Sequence, residues 1–455
     1  MRPHAAGWRC GGLASPPGPY EVLVGTGGGW QGFEPIRPYQ QVPGFLLVEV
    51  DGLRVTASFY GDSDEDGQYD DVLDSFVMRD SVPEPMGLVA AYDFESGSAD
   101  DVAPPPLGHG LDGAWRRQAE VAPGLSGLFG PIQKEQAFII NNQLGSFLVG
   151  KDPLAIEALH DQMLRLNRHG RSGIFMTGLS PLDCALWDLK GKAWGQPIWR
   201  LLGGPTRDSV PVYASMLGHS IEPEAAAAKA SEYQAKGYTA QKWFFRYGPA
   251  HGAEGFANNM AMATALRTAV GPQYKLMFDA FMGWDRNYAT KMVQALQPLD
   301  PTWMEEPIPP ERVGELAQLR SASRTPIATG EHVYSRWQSK ELLVNGAVDY
   351  LQNDPDWTGG ISELVKICAL ASSFEVQVVA HGHSLLAALH VAGSQSPSVV
   401  PFVEFLIKSQ PDKQHFFQTF YEPVDGYLTL PSAPGLGLQL DEKKIDSREN
   451  IKGSA

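Results

Sequence analysis

Six acidic or histidine residues recur at nearly constant intervals in the second half of the chain: Asp279, Glu305, Glu331, Asp354, His381 and Glu404. The intervals are 26, 26, 23, 27 and 23 residues, and each has the length of one strand–helix unit. Each residue ends or interrupts a short apolar run typical of a buried strand. In a barrel of parallel strands, the C-terminal strand ends meet at one rim, where such barrels hold their active sites. The spacing therefore predicts that the six side chains converge.

The first three of these residues are carboxylates on consecutive predicted strands. Two carboxylates about 4 Å apart repel each other by roughly 4 kcal/mol at an effective dielectric constant of about 20, so a converging trio requires a cation. Ligands that are all oxygen indicate Mg²⁺, with Mn²⁺ as the alternative, and not zinc. Three protein ligands leave room on an octahedral ion for water and a substrate carboxylate, as in a catalytic site.

Asp354 is followed, one strand later, by two histidines in the stretch "AHGHS" (380–384). An aspartate beside an imidazole fixes its tautomer and raises its basicity, which makes a general base that can later act as an acid. His381 and His383 would share a face if the strand continued, so the residues alone leave open which of them is the base. Glu404, if burial keeps it protonated, would donate a hydrogen bond to developing negative charge.

Strand-like runs and helical segments alternate through this half of the chain. The runs lie at residues 210–215, 238–245, 274–281, 301–307, 326–332, 348–354, 376–382 and 399–406. Eight strands separated by helices predict a closed parallel barrel of the α/β class. A doubly wound sheet is the alternative, but no glycine-rich nucleotide loop follows the first run.

The N-terminal part of the chain has a mixed pattern. We expect strands at 44–50 and 52–61 and a helix at 152–166. A further helix is expected to begin at Ser180-Pro181, followed by a short second one that Gly203-Gly204-Pro205 stops. Near the C-terminus, residues 421–441 regain strand character and are expected to return to the N-terminal part.

Acidic and proline-rich stretches in the N-terminal part predict loops. One of them, from Asp62 to Gly67, imitates the start of a calcium-binding loop. Its twelfth position is Leu73 instead of the glutamate that such loops require, so we do not expect calcium there.

Composition limits the classes of function. The chain has 455 residues, 43% of them hydrophobic, and a formal net charge of −16. Nucleic acids and anionic membranes require a basic surface, so neither is an expected partner. Three scattered cysteines favour a reducing compartment. Neither a long apolar run nor a secretory signal is evident, so we expect a cytoplasmic protein that binds a small molecule.

The motifs together resemble the enolase superfamily, specifically its mandelate-racemase-like subgroup, over residues 122 to 441. They include "SPLDCALWDLKGKAWGQPIWRLLGG", "WMEEP", "TGEH", "NDPDWTGGISELVKI" and "PGLGLQLD". The resemblance implies a modified (β/α)₇β barrel of the TIM type with an α+β capping domain. The implied boundaries are a cap at 1–207, a barrel at 208–406, and a C-terminal segment at 407–455 that returns to the cap. Homo-oligomers are common in the family, so one is expected.

The resemblance also implies roles for individual residues. Asp279, Glu305 and Glu331 match the Mg²⁺ ligands of the family. Asp354 and His381 match its Asp–His dyad, which selects His381 over His383 as the base, and Glu404 matches the glutamate that donates to an enediolate.

Two departures from the family pattern are informative. In "QKWFFRYGP", Lys242 is present, but Phe244 stands where many members have a second lysine that acts as a base. Racemisation by two opposed bases is therefore disfavoured. Within the subgroup the chain resembles L-rhamnonate dehydratases and related acid-sugar dehydratases, which tend to have Pro-His-Gly-Ser-Ser where this chain has Ala-His-Gly-His-Ser, with His383 as the added histidine.

The implied activity is the Mg²⁺-dependent dehydration of an acid sugar to a 2-keto-3-deoxy acid through an enediolate. His381 would serve as base and then acid, with Lys242 stabilising the enediolate. His332 and His383 are candidates for contacts with substrate hydroxyls, and Arg246 for the far end of a diacid. The alternatives are a racemase, epimerase or cycloisomerase on the same fold, and a non-catalytic metal-binding relative.

Overall fold

The computed structural model describes residues 44–51, 54–61, 71–78 and 125–445. The acidic stretch from Asp62 to Gly67, which was predicted to be a loop, lies outside these residues. None of the helices in the described ranges is long and apolar enough to cross a membrane. Cys184 and Cys368 are buried free thiols.

An antiparallel sheet with the strand order β3-β2-β1-β4 precedes the barrel. Its strands are β1 (Gly44–Asp51), β2 (Arg54–Gly61), β3 (Asp71–Met78) and β4 (Leu125–Phe129). The predicted strands at 44–50 and 52–61 are confirmed as β1 and β2. The sequence did not predict β3, because it continues directly from an acidic stretch whose composition is typical of a loop.

Helices follow this sheet in the chain. They are α1 (Lys134–Ile139), α2 (Gly145–Leu148), α3 (Ile156–Leu166), α4 (Ile174–Ala193) and α5 (Ile198–Leu201), with a π-helical turn at Ile140–Leu144 between α1 and α2. The predicted helix at 152–166 is confirmed as α3.

The prediction that a helix begins at Ser180-Pro181 is wrong, because α4 starts at Ile174 and carries Pro181 inside it. A proline within a helix leaves the carbonyl four residues earlier without its N–H donor. Here that carbonyl belongs to Thr177, and it accepts a hydrogen bond of 3.0 Å from Gln136 Nε2 on α1. A side chain distant in sequence therefore satisfies the helix at the position where proline interrupts it.

Residues 209–406, all of which are described, form eight parallel strands and seven helices in strict alternation. The strands are β5 (Ser209–Ser215), β6 (Ala240–Phe244), β7 (Lys275–Asp279), β8 (Trp303–Glu305), β9 (Ile327–Thr329), β10 (Tyr350–Leu351), β11 (Gln377–Val378) and β12 (Val403–Leu406). The helices are α6 (Pro223–Ala235), α7 (Gly252–Val270), α8 (Arg286–Leu296), α9 (Val313–Ser321), α10 (Arg336–Val344), α11 (Gly360–Ser372) and α12 (Leu385–Ser394).

From β5 to β11, each strand pairs with the next in chain order, and β12 pairs with β5. Val378 N of β11 donates to Val399 O, which lies just before β12, at 2.8 Å. The predicted modified (β/α)₇β barrel is confirmed.

Large side chains fill the interior of the barrel. Tyr213, Met277, Trp303, Val379 and Phe402 are among the buried residues of this cluster. The Trp303 and Phe402 rings stack with centroids 5.9 Å apart, and Tyr213 meets each of them edge-on at 5.7 Å. Because this plug occupies the interior, the polar side chains that point into the barrel lie above it, at the C-terminal rim.

The C-terminal segment contains α13 (Gln410–Lys413) and β13 (Tyr427–Thr429), which pairs antiparallel with β5. Farther along, Gly435 forms a β-bridge with Pro197 next to α5. The buried carboxylate of Asp188 on α4 accepts hydrogen bonds from Leu436 N at 2.7 Å and Leu128 N at 2.6 Å. Asp188 therefore joins α4 to β4 and to the C-terminal segment. The domain boundaries inferred from the sequence stay a prediction.

Replacing Asp188 with alanine should lower the stability of the protein by about 3 kcal/mol, because two buried N–H donors lose their acceptor. The measurement is the thermal unfolding midpoint. The matched control is Asp161→Ala, which removes an exposed carboxylate paired with Arg165 on the surface of α3 and should leave the midpoint unchanged. Equal midpoints for both variants would contradict the role assigned to Asp188.

Candidate active site

The C-terminal strand ends place most of the predicted site residues at one rim. Asp279 and Glu305 are the last residues of β7 and β8 and are direct partners in the strand register. Glu331 lies two residues beyond β9. Asp354 and His381 each lie three residues beyond the ends of β10 and β11.

Glu404 reaches the site differently. It is the second residue of β12 and is paired in register with Tyr213. Its side chain therefore projects from within a strand instead of from a strand end. The regular spacing of 23 residues from His381 did not reveal this difference.

A buried lysine joins three of the carboxylates. Lys242 Nζ contacts Glu305 Oε1 directly, lies 3.0 Å from Glu404 Oε1, and lies 3.6 Å from Asp279 Oδ2. Burial opposes the charge of Lys242, but Glu305 and Glu404 outweigh it and raise the lysine pKa well above its usual range. Lys242 is therefore a permanent cation within the acidic cluster.

Both carboxylate oxygens of Glu305 are engaged. Oε1 contacts Lys242, while Oε2 accepts hydrogen bonds from Trp303 Nε1 at 2.9 Å and from Gln352 Nε2 at 2.5 Å. Gln352 was not predicted as a site residue, although it stands directly before the "NDPDW" stretch and one residue beyond β10. Its role as a donor to Glu305 had no signal in the sequence.

The remaining carboxylates resist ionisation. Burial, followed by the nearby charge of Glu305, raises the pKa of Asp279 well above its usual range. Burial raises the pKa of Glu331 to about 7, although His381 acts in the opposite direction. A single lysine thus leaves the cluster with excess negative charge. A divalent cation that favours oxygen ligands would relieve this repulsion, so the residues present fit Mg²⁺.

Glu331 is drawn toward histidines instead of toward Asp279 and Glu305. Its carboxylate lies 3.6 Å from His332 Nδ1 and 3.6 Å from His381 Nε2. His332 Nδ1 in turn contacts Glu306 Oε2 at 3.0 Å. Among the described residues, Glu306, Glu331 and His332 are the group whose potential ligand atoms all lie within 4.8 Å of one another. The predicted trio is not gathered in this way, because Lys242 holds two of its members.

Asp354 and His381 form a hydrogen-bonded pair. His381 Nδ1 is 3.0 Å from Asp354 Oδ2, and Asp354 is completely buried. Burial lowers the pKa of His381, but Glu331 and Asp354 outweigh it and raise this pKa to about 10. Part of this rise comes from the charge of Glu331, so a cation bound there would lower the pKa toward the range of a working base.

Glu404 is a buried acid whose protonation depends on its charged neighbours. Burial does oppose its ionisation, but Lys242 and His381 outweigh that effect and lower the pKa of Glu404 to about 2. Glu404 Oε2 also accepts a hydrogen bond from Gly382 N at 2.9 Å. The structure therefore presents Glu404 as a carboxylate that balances Lys242.

Two groups of aromatic residues lie near the site: Trp357 packs against histidine rings, and Phe244 packs against another phenylalanine. Trp357 stacks against the rings of His381 and His332, with centroid distances of 4.9 and 6.1 Å, and meets the ring of His383 at 4.9 Å with a tilt of 39°. Phe244 lies in register with Asp279 and stacks on Phe281 at 5.0 Å.

Three further aromatic side chains of this region and that of the predicted substrate contact Arg246 do not contact the carboxylates of the acidic cluster through any described interaction. Trp243 and Phe245 are buried in the core, and Trp284 donates a hydrogen bond to Tyr247 O at 2.9 Å. Arg246, predicted as a substrate contact, is exposed and is not brought into contact with the acids by any described interaction.

The sequence of the chain is similar to those of known proteins. The family description "Enolase C-terminal domain-like" matches residues 225–444, and "Mandelate racemase / muconate lactonizing enzyme, N-terminal domain" matches residues 121–203. L-rhamnonate dehydratase of Saccharopolyspora erythraea is 35% identical over 315 residues, which are 67% of this chain and 77% of that protein.

Solved structures also resemble the chain. The structure of rhamnonate dehydratase from Gibberella zeae complexed with Mg has a TM-score of 0.63 at 32% identity and covers 70% of this chain and 78% of its own. A racemase from Streptomyces coelicolor A3(2) with bound magnesium has a TM-score of 0.64 at 22% identity, with coverage of 88% and 97%, and shares the fold.

Replacing Lys242 with methionine should destabilise the metal-free protein by about 3–5 kcal/mol at pH 8, because the buried carboxylates lose their counter-charge. The pKa values of the carboxylates would rise further, so the folded state would bind more protons than the unfolded state. Stability would then fall as pH rises, and the loss relative to wild type should be smaller at pH 5 than at pH 8.

Urea denaturation at both pH values measures this difference. Lys275→Met is the matched control, because Lys275 is exposed at the other end of the neighbouring strand β7. A loss that is the same at both pH values would mean that Lys242 stabilises by packing instead of by charge.

Proposed function

Because the chain belongs to the mandelate racemase and muconate lactonizing enzyme family of the enolase superfamily, we propose that it is a hydro-lyase that dehydrates an acid sugar to a 2-keto-3-deoxy acid. The observation that carries this proposal is the meeting of a buried His–Asp pair with an acidic cluster at one rim of the barrel. The two named dehydratases among its relatives make L-rhamnonate the first substrate to test.

Asp279, Glu305 and Glu331 are the residues that would hold Mg²⁺, the ion named with the Gibberella zeae enzyme. When bound, Mg²⁺ supplies Lewis-acid stabilisation of negative charge on the substrate carboxylate. The raised pKa values of Asp279 and Glu331 support this assignment, because a bound cation would offset the burial and mutual repulsion that oppose their ionisation.

In the proposed reaction, His381 removes the proton from carbon 2 of the acid sugar, and Asp354 stabilises the imidazolium that forms. The electron pair left behind gives an enediolate. The positive charge of Lys242, which lies among the carboxylates, would stabilise its negative charge. His381 then donates its proton to the hydroxyl at carbon 3, which departs as water. The resulting enol tautomerises to the keto acid, so the balance is one acid sugar to one keto acid and one water.

The residue opposite Asp279 in the strand register favours dehydration over racemisation. Phe244 occupies this position and stacks on Phe281. An aromatic hydrocarbon cannot exchange a proton, whereas removal of a proton and a hydroxyl from the same face needs only one base. We therefore infer that His381 serves as both base and acid, and that Lys242, which is paired with three carboxylates, acts as a fixed charge.

Replacing His381 with asparagine, or Asp354 with asparagine, should reduce kcat by at least about 10²–10⁴-fold, because both changes remove the general base or its orientation. The measurement is keto-acid formation from L-rhamnonate and other acid sugars, detected with semicarbazide. Mg²⁺ binding by calorimetry is the control and should persist in both variants.

The same assay run in D₂O separates the alternatives. An epimerase or racemase would exchange and invert the proton at carbon 2 without forming a keto acid. If the wild-type protein does not bind Mg²⁺, the alternative that the chain is a non-catalytic member of the family is supported instead.

Magnesium affinity should increase about tenfold between pH 6 and pH 8, because Glu331 must lose its proton before it binds a cation. The sign follows from the pKa of Glu331, which burial raises from its ordinary value to about 7 in the folded protein. Calorimetric titration with Mg²⁺ in buffers of different ionisation enthalpy measures both the affinity and the released proton.

Variants of two neighbouring acids identify the ligand set. Asp279→Asn should abolish Mg²⁺ binding, whereas Glu306→Gln should retain the affinity at pH 8, where Glu331 has lost its proton. The reverse pattern would assign the ion to the group formed by Glu306, Glu331 and His332.

A further inference from the structure

A second histidine–carboxylate pair lies beside the His381–Asp354 pair. His383 Nδ1 is 2.8 Å from Asp356 Oδ2. The backbone N–H of His383 donates to Asp354 Oδ2 at 3.0 Å, and the same oxygen contacts His381 Nδ1 at 3.0 Å. Asp354 therefore fixes the main chain of one histidine and the ring of the other.

Trp357 aligns the two imidazole rings. Each ring centroid is 4.9 Å from that of Trp357. The two histidine rings are 6.5 Å apart, with an angle of 14° between their planes. Their side chains are 12% and 14% exposed, so they reach solvent to the same small extent. The structure thus presents two parallel imidazoles against one indole.

Asp356 is held in place from the protein interior. Its carboxylate is buried, and Oδ1 accepts a hydrogen bond of 3.0 Å from Gln136 Nε2. Its backbone N–H donates to Asp354 Oδ1 at 2.8 Å. This anchoring turns the Nδ1 edge of His383 toward the interior and its Nε2 edge away from it. Within residues 125–445, no hydrogen bond is made to Nε2 of His383.

We propose that His383 is a specificity-determining residue whose Nε2 hydrogen-bonds a substrate hydroxyl beyond carbon 3. The inference rests on the proposed dehydration of an acid sugar. His381 serves carbons 2 and 3, and the ring of His383 is displaced from it by 6.5 Å in a parallel plane. A polyhydroxy acid continues past carbon 3 with further hydroxyl groups, so the second imidazole meets the part of the chain that does not react.

The environment of His383 suits recognition of a neutral hydroxyl. Burial, followed by the charge of Lys413, lowers the pKa of His383 well below its usual range. A neutral imidazole has one N–H donor and one acceptor nitrogen. A hydroxyl group both donates and accepts, so it can pair with Nε2 whichever ring nitrogen of His383 carries the proton. His381 differs, because its surroundings favour the protonated ring.

Substitution by the two side-chain amides tests this role. The amide nitrogen of glutamine lies near the position of the histidine Nε2, whereas that of asparagine lies near Nδ1. Both variants keep the backbone N–H that donates to Asp354. His383→Gln therefore preserves a polar group toward the substrate, and His383→Asn preserves one toward Asp356.

The measurement is kcat/KM for the acid sugar that the wild-type enzyme turns over and for its 4-deoxy and 5-deoxy analogues. A site built to bind a hydroxyl rejects the analogue that lacks it. The wild-type enzyme should discriminate against one of the two analogues by at least about 10²-fold. His383→Gln should keep this ratio within about tenfold. In His383→Asn, kcat/KM should fall for the fully hydroxylated substrate and stay unchanged for the deoxy analogue, so most of the discrimination is lost.

Two results would overturn the inference while leaving dehydration intact. One is an equal decrease of kcat/KM for all three substrates in both variants. The other is retention of the ratio by His383→Asn but not by His383→Gln, which would make His383 a support for Asp356 only. If the wild-type protein forms no keto acid from any acid sugar, the proposed function fails, and this inference fails with it.

Discussion

Repulsion among buried carboxylates is the constraint on which the structure of the rim depends. Three strands direct acids into a space above an aromatic plug, and a fourth strand adds Glu404. Lys242 is placed where it contacts three of these acids, and the histidines compensate for the remaining one, Glu331. Without these pairings, the desolvation of several charges would oppose folding of the barrel. The same excess of negative charge makes the rim a place where a divalent cation is stabilising.

The acids are divided between two sets of positive or proton-bearing partners, and this division has a chemical consequence. Lys242 draws Asp279, Glu305 and Glu404 to one side, while Glu331 lies between His332 and His381. The base and one of the acids are therefore coupled electrostatically. Any charge that binds at Glu331 changes the proton affinity of His381, so occupation of the cation site and readiness of the base are linked.

The sequence was sufficient for the barrel and for the strand ends, because both follow from periodicity. Eight apolar runs at regular intervals correspond to β5 through β12, and the acids at Asp279 and Glu305 close their strands as the spacing predicts. Contacts between distant side chains have no such periodicity. Gln352 donating to Glu305 could not be predicted, and neither could the ionised state of Glu404, which depends on how close Lys242 approaches.

The error at Pro181 shows where the missing information lies. A proline read locally is a helix start, yet here Gln136 supplies the donor that the proline lacks, and the same amide binds Asp356. Nearby, Ser180 Oγ accepts from Gly359 N at 2.8 Å, and Asp183 Oδ2 accepts from Ser362 N at 2.9 Å.

Helices α1 and α4 thus hold both ends of the segment that leads from Asp354 to α11. Because this segment carries Asp354, Asp356 and Trp357, the orientation of both imidazoles is set by residues of the N-terminal part. The barrel strands determine where the base lies, and the N-terminal helices determine how it points.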